Sequence, residues 1–200
     1  MQVIVDFIIP NYKEIWATPI AEYYLDDLDT HREIISAFTN PVENTNGQVF
    51  NLLEATNCIL FKKWFLDKCN EYVSNFLENP ECLIKRSWGN VQNKGEVAHA
   101  HQHGTTDIIG VYYVNTIQGH PPLQIFDSRI PHKFNARNIS KNNQIITENI
   151  RYINIEPVQG KLVLFPGYLL HYVPTNMLEE PRISIAVNVE VNFKVPVATE

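Results

Sequence analysis

After Asn79-Pro80 the chain changes to short runs rich in Val, Ile, Tyr and Phe, separated by Gly and Pro. The runs are "LIKRSWGNVQ", "IIGVYYVN", "PLQIF", "IRYINIEP", "KLVLF" and "RISIAVNVEVNF". Such runs are typical of short strands, and no long helical pattern interrupts them. Because strands without intervening helices pair with each other in antiparallel fashion, we predict an antiparallel sandwich or barrel over residues 81–200.

The helical patterns lie before the strands. Apolar residues recur at helical spacing over residues 56–77, which predicts one long helix with a core-facing side, and a shorter helix is predicted over 21–38. We therefore expect a mainly β (α+β) fold, with residues 1–80 as helical support on the outside of a barrel. At 200 residues and 44% hydrophobic content, residues 1–200 have the usual size of one domain.

Charge and cysteine content exclude several classes of function. A net charge of −6 argues against an extended nucleic-acid-binding surface, which needs clustered Lys and Arg. Asp6 and Pro10 interrupt the short apolar start, which predicts neither a signal peptide nor a membrane span. The three cysteines, Cys58, Cys69 and Cys82, suit free thiols in a reducing compartment. We expect a cytoplasmic protein. Its assembly state is not predicted, and a homodimer is one of the options.

The stretch "HAHQH" places His99, His101 and His103 on alternate residues just before an apolar run. In an extended strand these three side chains would project to the same side. Two of them could then bind one ion, since imidazole suits Fe, Zn, Cu or Ni, but such a pair needs further ligands from elsewhere in the fold. The alternative is a polar strand end.

A further ligand is offered by "GKLVLFPGYLLHYVP". The turns at Gly160 and Pro166-Gly167 bracket a buried strand, as in small antiparallel barrels that hold a ligand at one mouth. His171 follows on the next short strand and could complete a metal-ligand set with the earlier histidines. The alternative is a core histidine with a satisfied hydrogen bond.

The run "RISIAVNVEV" alternates strictly between apolar and more polar residues. One face carries Ile183, Ile185, Val187 and Val189, and the other carries Arg182, Ser184, Ala186 and Asn188. We expect the second face to look into the barrel. An inward Arg182 is costly unless it meets an anion, and with the Ser184 hydroxyl beside it, it is suited to a carboxylate. A buried ion pair with an internal Asp or Glu is the alternative.

Together these elements resemble the 2-oxoglutarate- and iron(II)-dependent oxygenases, which carry His-x-Asp/Glu, a distal His and Arg-x-Ser about one strand later. More narrowly, the chain resembles a subgroup found in bacteria and bacteriophages. That subgroup carries W-x-N-V, an H-x-H followed by S-G-V-Y-Y, and F-P-x-x-x-x-H-x-V ending in R-I-S-I-x-x-N. The matching stretches here are "WGNV" from Trp88, His101-Gln-His103, "IGVYY" from Ile109, "FPGYLLHYV" from Phe165 and "RISIAVN" from Arg182. The resemblance covers roughly residues 83–193.

The resemblance implies a cupin-like double-stranded β-helix, the jelly-roll barrel, and an enzyme that uses Fe(II), 2-oxoglutarate and O2. Hydroxylation of a substrate, with release of succinate and CO2, would be its reaction. It implies three catalytic metal ligands, His101, His103 and His171, and four candidate residues for the far carboxylate of 2-oxoglutarate, Arg182, Ser184, Tyr112 and Tyr113. One of the two tyrosines is expected to face inward.

One position departs from the family pattern, because His103 stands where those oxygenases carry the acid of His-x-Asp/Glu. Three explanations stay open: a site of histidines only, a carboxylate from Asp107, or a carboxylate from Asp127. Asp107 shares the strand parity of the histidines, and the spacing from Gly95 through them to Asp107 fits the cupin pattern G-x5-H-x-H-x3-E, with Asp for Glu. A turn at residues 104–106 would separate Asp107 from the site, so Asp107 ranks below the histidines as a ligand.

Two other functions stay open. One is a cupin-like metalloenzyme that does not use 2-oxoglutarate and so does not need an inward Arg182. The other is a non-catalytic jelly-roll binding or virion-associated protein. For an enzyme, we expect a small-molecule or protein side-chain substrate. The polar stretch 127–149 is longer than most loops, so it is either a lid over the site or a solvated excursion. We expect His99 to be exposed or to support a ligand from behind.

Overall fold

The computed structural model describes residues 18–39, 44–45, 48–50, 52–55, 58–126, 138–139, 145–146 and 152–193. The helices in these segments are α1 (Leu28–Thr39), α2 (Leu52–Ala55) and α3 (Ile59–Val73). None of them is long and apolar enough to cross a membrane. The long helix predicted over residues 56–77 is present as α3, which ends four residues earlier than predicted.

The remaining elements of the described segments are short strands. They are β1 (Ala21–Tyr24), β2 (Asn44–Thr45), β3 (Gln48–Phe50), β4 (Pro80–Gln92), β5 (Ala98–His101), β6 (Ile108–Asn115), β7 (Leu123–Phe126), β8 (Asn138–Ile139), β9 (Ile145–Ile146), β10 (Tyr152–Ile155), β11 (Lys161–Pro166), β12 (His171–Val173) and β13 (Arg182–Phe193). Seven form a large sheet in the order β1-β11-β6-β13-β4-β3-β2, and four form a small sheet in the order β10-β7-β12-β5. The pairs are antiparallel, as the sequence predicted.

The helix predicted over residues 21–38 is wrong at its start, because Ala21–Tyr24 form β1. These residues pair with β11 at the edge of the large sheet, a partner more than a hundred residues away along the chain. The Asp27 carboxylate accepts a hydrogen bond from the Thr30 backbone N–H at 3.0 Å and so caps α1. The helix therefore begins only at Leu28.

Two apolar clusters flank the large sheet. One lies between the sheet and the helices, where Phe61 of α3 packs on Tyr112 of β6 and the cluster also includes Phe65 and Ile185. The other lies between the two sheets and includes Tyr113. Burying one such Phe or Ile side chain contributes about 1.5–3 kcal/mol, so both faces of the large sheet stabilise the fold.

Gly110 of β6 lets α3 approach the sheet closely. A Cβ at this position would lie 2.5 Å from Cε2 of the Phe65 ring, closer than atoms can pack. Glycine therefore provides the space into which the Phe65 ring fits.

The first 80 residues contribute strands as well as helices. Within the described segments, β1 pairs with β11 and β3 pairs with β4, both in the large sheet. The division into residues 1–80 and 81–200 stays a prediction. Of the stretch 127–149, the structure describes only β8 and β9, which pair with each other. The choice between a lid and a solvated excursion, left open for this stretch, falls largely outside the described residues.

Candidate active site

Three histidines come together at one edge of the small sheet. His101 ends β5, His171 begins β12, and the two face each other in adjacent strands. His103 lies just after β5, in the turn that follows. One candidate ligand atom from each of the three lies within 4.8 Å of the others, a spacing at which one ion could contact all of them.

Backbone carbonyls orient two of these rings. Nδ1 of His101 lies 2.7 Å from the His99 carbonyl oxygen, and Nδ1 of His171 lies 2.9 Å from the Leu169 carbonyl oxygen. A carbonyl only accepts, so each Nδ1 donates its proton and each Nε2 keeps a free lone pair, which is the form that binds metal. The His99 side chain itself is exposed, as predicted.

His103 and His171 are held in the neutral form. Burial, and to a smaller extent the nearby His101, lowers the pKa of His103 to about 4. Burial is also the main reason that the pKa of His171 is lowered to about 4, although its bond to Leu169 acts in the opposite direction. Neutral imidazole is the metal-binding form, so both rings are ready for a cation near neutral pH.

His103 is positioned by a turn and by an aromatic neighbour. Its backbone N–H donates to the Gly167 carbonyl at 2.9 Å, and the Gly167 N–H donates to the Asp107 carbonyl at 3.0 Å. A Cβ on Gly167 would lie 2.1 Å from the Thr106 carbonyl oxygen. The Trp88 ring stacks on the imidazole of His103 with centroids 5.6 Å apart. These supporting roles of Gly167 and Trp88 were missed from sequence, although "WGNV" and the Pro-Gly turn had marked both positions.

Arg182 presents unused hydrogen-bond donors in the interior. Its side chain is buried, and Nη1 lies 3.3 Å from Oγ of Ser184. Nε and Nη2 make no hydrogen bond of good geometry among the described residues, and neither does the Tyr113 hydroxyl, although that hydroxyl and the guanidinium are close enough to interact electrostatically. The alternative of a buried ion pair finds no acid partner in the described segments. Buried polar groups are normally satisfied, so these donors fit a carboxylate ligand.

The structure separates the two candidate tyrosines. Tyr113 lies between the sheets beside Arg182, and burial raises its pKa to about 12, so its hydroxyl stays protonated. Tyr112 faces the helices instead: its hydroxyl is 2.7 Å from Nδ1 of His31 and its ring packs on Phe61. The expectation that Tyr112 is a cosubstrate residue is therefore wrong, because alternate residues of a strand point to opposite faces.

Asp107 does not join the histidines. Its carboxylate accepts a hydrogen bond from the Val191 N–H at 2.8 Å, because the chain turns at residues 104–106 before β6 begins. Among the described residues the cluster contains only the three histidines. Asp107 as a fourth ligand is therefore a wrong prediction, and Asp127 lies outside the described residues.

The histidines and Arg182 line one cavity of about 620 Å³ between the sheets. Ser184 and Trp88 are also in its wall, and Ala186 and Asn188 continue the same face of β13. Cavities of this size accommodate small molecules. The polar face of β13 therefore looks into the barrel, as its alternation predicted.

A protein-family model described as "Putative 2OG-Fe(II) oxygenase" matches residues 86–188, more than half of the chain. The chain belongs to the 2-oxoglutarate- and Fe(II)-dependent oxygenase family. The family and enzyme class inferred from the spaced motifs are thus confirmed. The protein is an oxygenase whose cofactors are Fe(II), 2-oxoglutarate and O2. A search of curated proteins finds no match.

Solved structures of other oxygenases share the fold. A 2OG-Fe(II) oxygenase family oxidoreductase from Burkholderia pseudomallei is 12% identical, with a TM-score of 0.61 over 82% of this chain and 78% of that one. HygX from Streptomyces hygroscopicus with nickel, 2-oxoglutarate and hygromycin B is 12% identical, with a TM-score of 0.62 over 86% and 82%. A Pseudomonas putida prolyl-4-hydroxylase is 16% identical, with a TM-score of 0.54 over 86% and 92%. The likeness confirms the predicted jelly-roll fold of this oxygenase.

Proposed function

We propose that this oxygenase hydroxylates a C–H bond of a small molecule or protein side chain, releasing succinate and CO2. The observation that carries the proposal is the set of unpartnered N–H groups of Arg182 in the cavity that also holds three closely spaced histidines. A metal cluster alone would suit many reactions. A buried guanidinium in the same cavity favours a cosubstrate with a free carboxylate.

His101, His103 and His171 are the proposed ligands of Fe(II). Two of them have Nε2 freed for metal by a bond from Nδ1 to a backbone carbonyl, which supports this assignment. When bound, the metal and its cosubstrate supply the oxidising chemistry toward the C–H bond. Trp88 keeps the His103 ring in place and covers one of its faces from water.

Arg182, Ser184 and Tyr113 are the proposed binding site for the far carboxylate of 2-oxoglutarate. Nε and Nη2 of Arg182 would donate two parallel hydrogen bonds, and the Tyr113 hydroxyl a third. Ser184 holds Nη1 at 3.3 Å and so orients the guanidinium. These residues align the cosubstrate without reacting themselves.

Anaerobic addition of Fe(II) and then 2-oxoglutarate tests this function. We expect the weak visible charge-transfer band of the chelate to appear, and succinate to form in step with 2-oxoglutarate loss once O2 is admitted. Binding of iron with no band on addition of 2-oxoglutarate would overturn the use of this cosubstrate. The cupin-like alternative would then be favoured.

We also propose that the enzyme acts in the cytoplasm of a bacterial or phage-infected cell. Three buried free cysteines, Cys58, Cys69 and Cys82, support a reducing compartment. The net charge of −6 supports a substrate other than extended nucleic acid. A monomer and a homodimer are the two assembly states to distinguish by light scattering.

A further inference from the structure

The cavity wall formed by β4 and β13 has an arginine at each end. Across the paired strands Arg182 lies opposite Gln92, and Arg86 lies opposite Asn188. All four residues line the cavity. The positions of Arg182 and Asn188 on β13 correspond to roughly 20 Å of extended strand. Arg86 is therefore too far along the wall to share the carboxylate assigned to Arg182.

A β-bulge turns Arg86 toward the cavity. Asn188 pairs with Arg86, but its neighbour Val189 pairs with Ile84, so Lys85 is an extra residue in β4. As a result Ile84 packs on the helix-side cluster although it is only two residues from Arg86. Bulges next to active sites often re-aim a side chain in this way. Lys85 itself forms an ion pair with Glu190.

Two polar side chains at this end of the cavity are available to a ligand. Arg86 is an exposed residue that lines this end of the cavity, so its guanidinium is accessible to solvent and to a ligand, whereas Oδ1 of Asn188 is buried without a donor. Among the described residues that line the cavity the one acid is Glu96, whose carboxylate accepts from the Asn93 N–H at 2.7 Å and which lies beside Gln92, at the Arg182 end. An accessible guanidinium is suited to binding an anion, and the buried Asn188 oxygen lacks the hydrogen-bond donor that such a group normally has.

We propose that Arg86 and Asn188 anchor the substrate at the end of the cavity opposite Arg182. The substrate is a small molecule that carries an oxyanion, carboxylate or phosphate, with a hydrogen-bond donor beside it. Trp88, which contacts His103, lies two residues from Arg86, about 7 Å along the strand. The reacting carbon is therefore separated from the anion by a few bonds. The inference rests on the proposed function, which assigns the other end to 2-oxoglutarate.

Matched probes test the subsite in anaerobic protein loaded with Zn(II) and saturating 2-oxoglutarate. Butyrate and propyl phosphate carry the anion, 3-hydroxybutyrate adds the donor, and butyramide lacks the anion. We expect the first three to shift the NMR signals of Arg86 Nε–H and the Asn188 side-chain amide, with 3-hydroxybutyrate binding tighter than butyrate. Carboxylate and phosphate probes distinguish the two sources of oxyanion.

Arg86→Gln should weaken anion binding by about fivefold, the upper end for a charged pair that is open to solvent. Lys85→Gln, one residue away but paired with Glu190, should leave it unchanged, and both variants should bind 2-oxoglutarate as the parent does. The proposal is overturned if butyramide binds as well as butyrate, if no anion shifts these signals, or if Arg86→Gln weakens 2-oxoglutarate binding. Failure of the parent protein to bind 2-oxoglutarate would instead refute the proposed function.

Discussion

Arg182 is the residue whose surroundings are least explained by folding alone. A buried guanidinium with two unpartnered N–H groups destabilises a protein unless a ligand completes it. We therefore expect Arg182 to act in ligand binding. Substitution of Arg182 should change the affinity for 2-oxoglutarate.

Arg182→Lys should raise the dissociation constant of 2-oxoglutarate by about ten- to a hundredfold, because lysine lacks the planar fork that holds a carboxylate. The rate at saturating 2-oxoglutarate should change much less. Titration of the charge-transfer band gives the constant. Arg32→Lys, in an exposed ion pair with Asp29, serves as the control. An unchanged constant in Arg182→Lys would contradict the assignment.

His171→Ala should weaken Fe(II) binding by more than about a hundredfold. Removing a residue that only hydrogen-bonds to a metal ligand already weakens metal binding by up to about a hundredfold, and His171 is proposed as a ligand itself. Asp107→Asn should bind Fe(II) as the parent does, because its carboxylate accepts from the Val191 N–H away from the histidines. Anaerobic calorimetry measures both. Equal losses in the two variants would return Asp107 to the ligand set.

At the scale of elements, the turn between β11 and β12 positions His103, the proposed metal ligand that lies outside the strands. Gly167 exchanges backbone hydrogen bonds with His103 and Asp107, and its α-carbon faces the Thr106 carbonyl with no room for a side chain. The turn thus fixes His103 relative to His171, which follows on β12.

Gly167→Ala should displace the 103–106 turn and weaken Fe(II) binding by about ten- to a hundredfold, in the range found for supporting residues of metal sites. Gly104→Ala is the matched control, since nothing lies within 4 Å of a Cβ there. Circular dichroism checks that both variants fold. Equal affinities for Fe(II) would show that this contact does not position His103.

Gly110→Ala should destabilise the fold by about 1–3 kcal/mol, the usual cost of overpacking, because its Cβ would meet the Phe65 ring at 2.5 Å. Urea unfolding measures the free energy. Adding Phe65→Leu to Gly110→Ala should recover part of the loss, since it removes the clashing ring atoms. If the change in unfolding free energy of the double variant equals the sum of the changes in the two single variants, Gly110 and Phe65 do not compete for this space.

At the scale of the whole molecule, the metal-free enzyme should lose stability in mild acid. Burial lowers the pKa of His103 and of His171 from 6.5 to about 4. Between these values the unfolded chain takes up protons that the native state does not, so the free energy of unfolding falls as the pH falls. Urea unfolding from pH 7 to 4 tests this, and His171→Gln should flatten the curve. A profile independent of pH would contradict the burial of these rings.

Sequence alone predicted the antiparallel fold and the oxygenase family, which are confirmed, and it proposed three histidines and Arg182 with Ser184, which the structure places around one cavity. These inferences rest on local information: alternation along one strand fixes which side chains share a face, and several motifs in order define a family. The N-terminal strand β1 was missed for the opposite reason. Its four residues pair with β11, which is far away in the sequence. The local pattern of apolar residues favours a helix and carries no information about such a distant partner.

Other features depended on packing between distant segments. Tyr113 rather than Tyr112 faces Arg182, because β6 has helices on one side and the small sheet on the other, and sequence cannot say which side each tyrosine meets. Asp107 leaves the histidines because a turn redirects it toward β13. Arg86 faces the cavity because a bulge shifts the register at Lys85. Residue types and their spacing thus indicate the chemistry, but only the folded backbone orients each side chain toward its ligand.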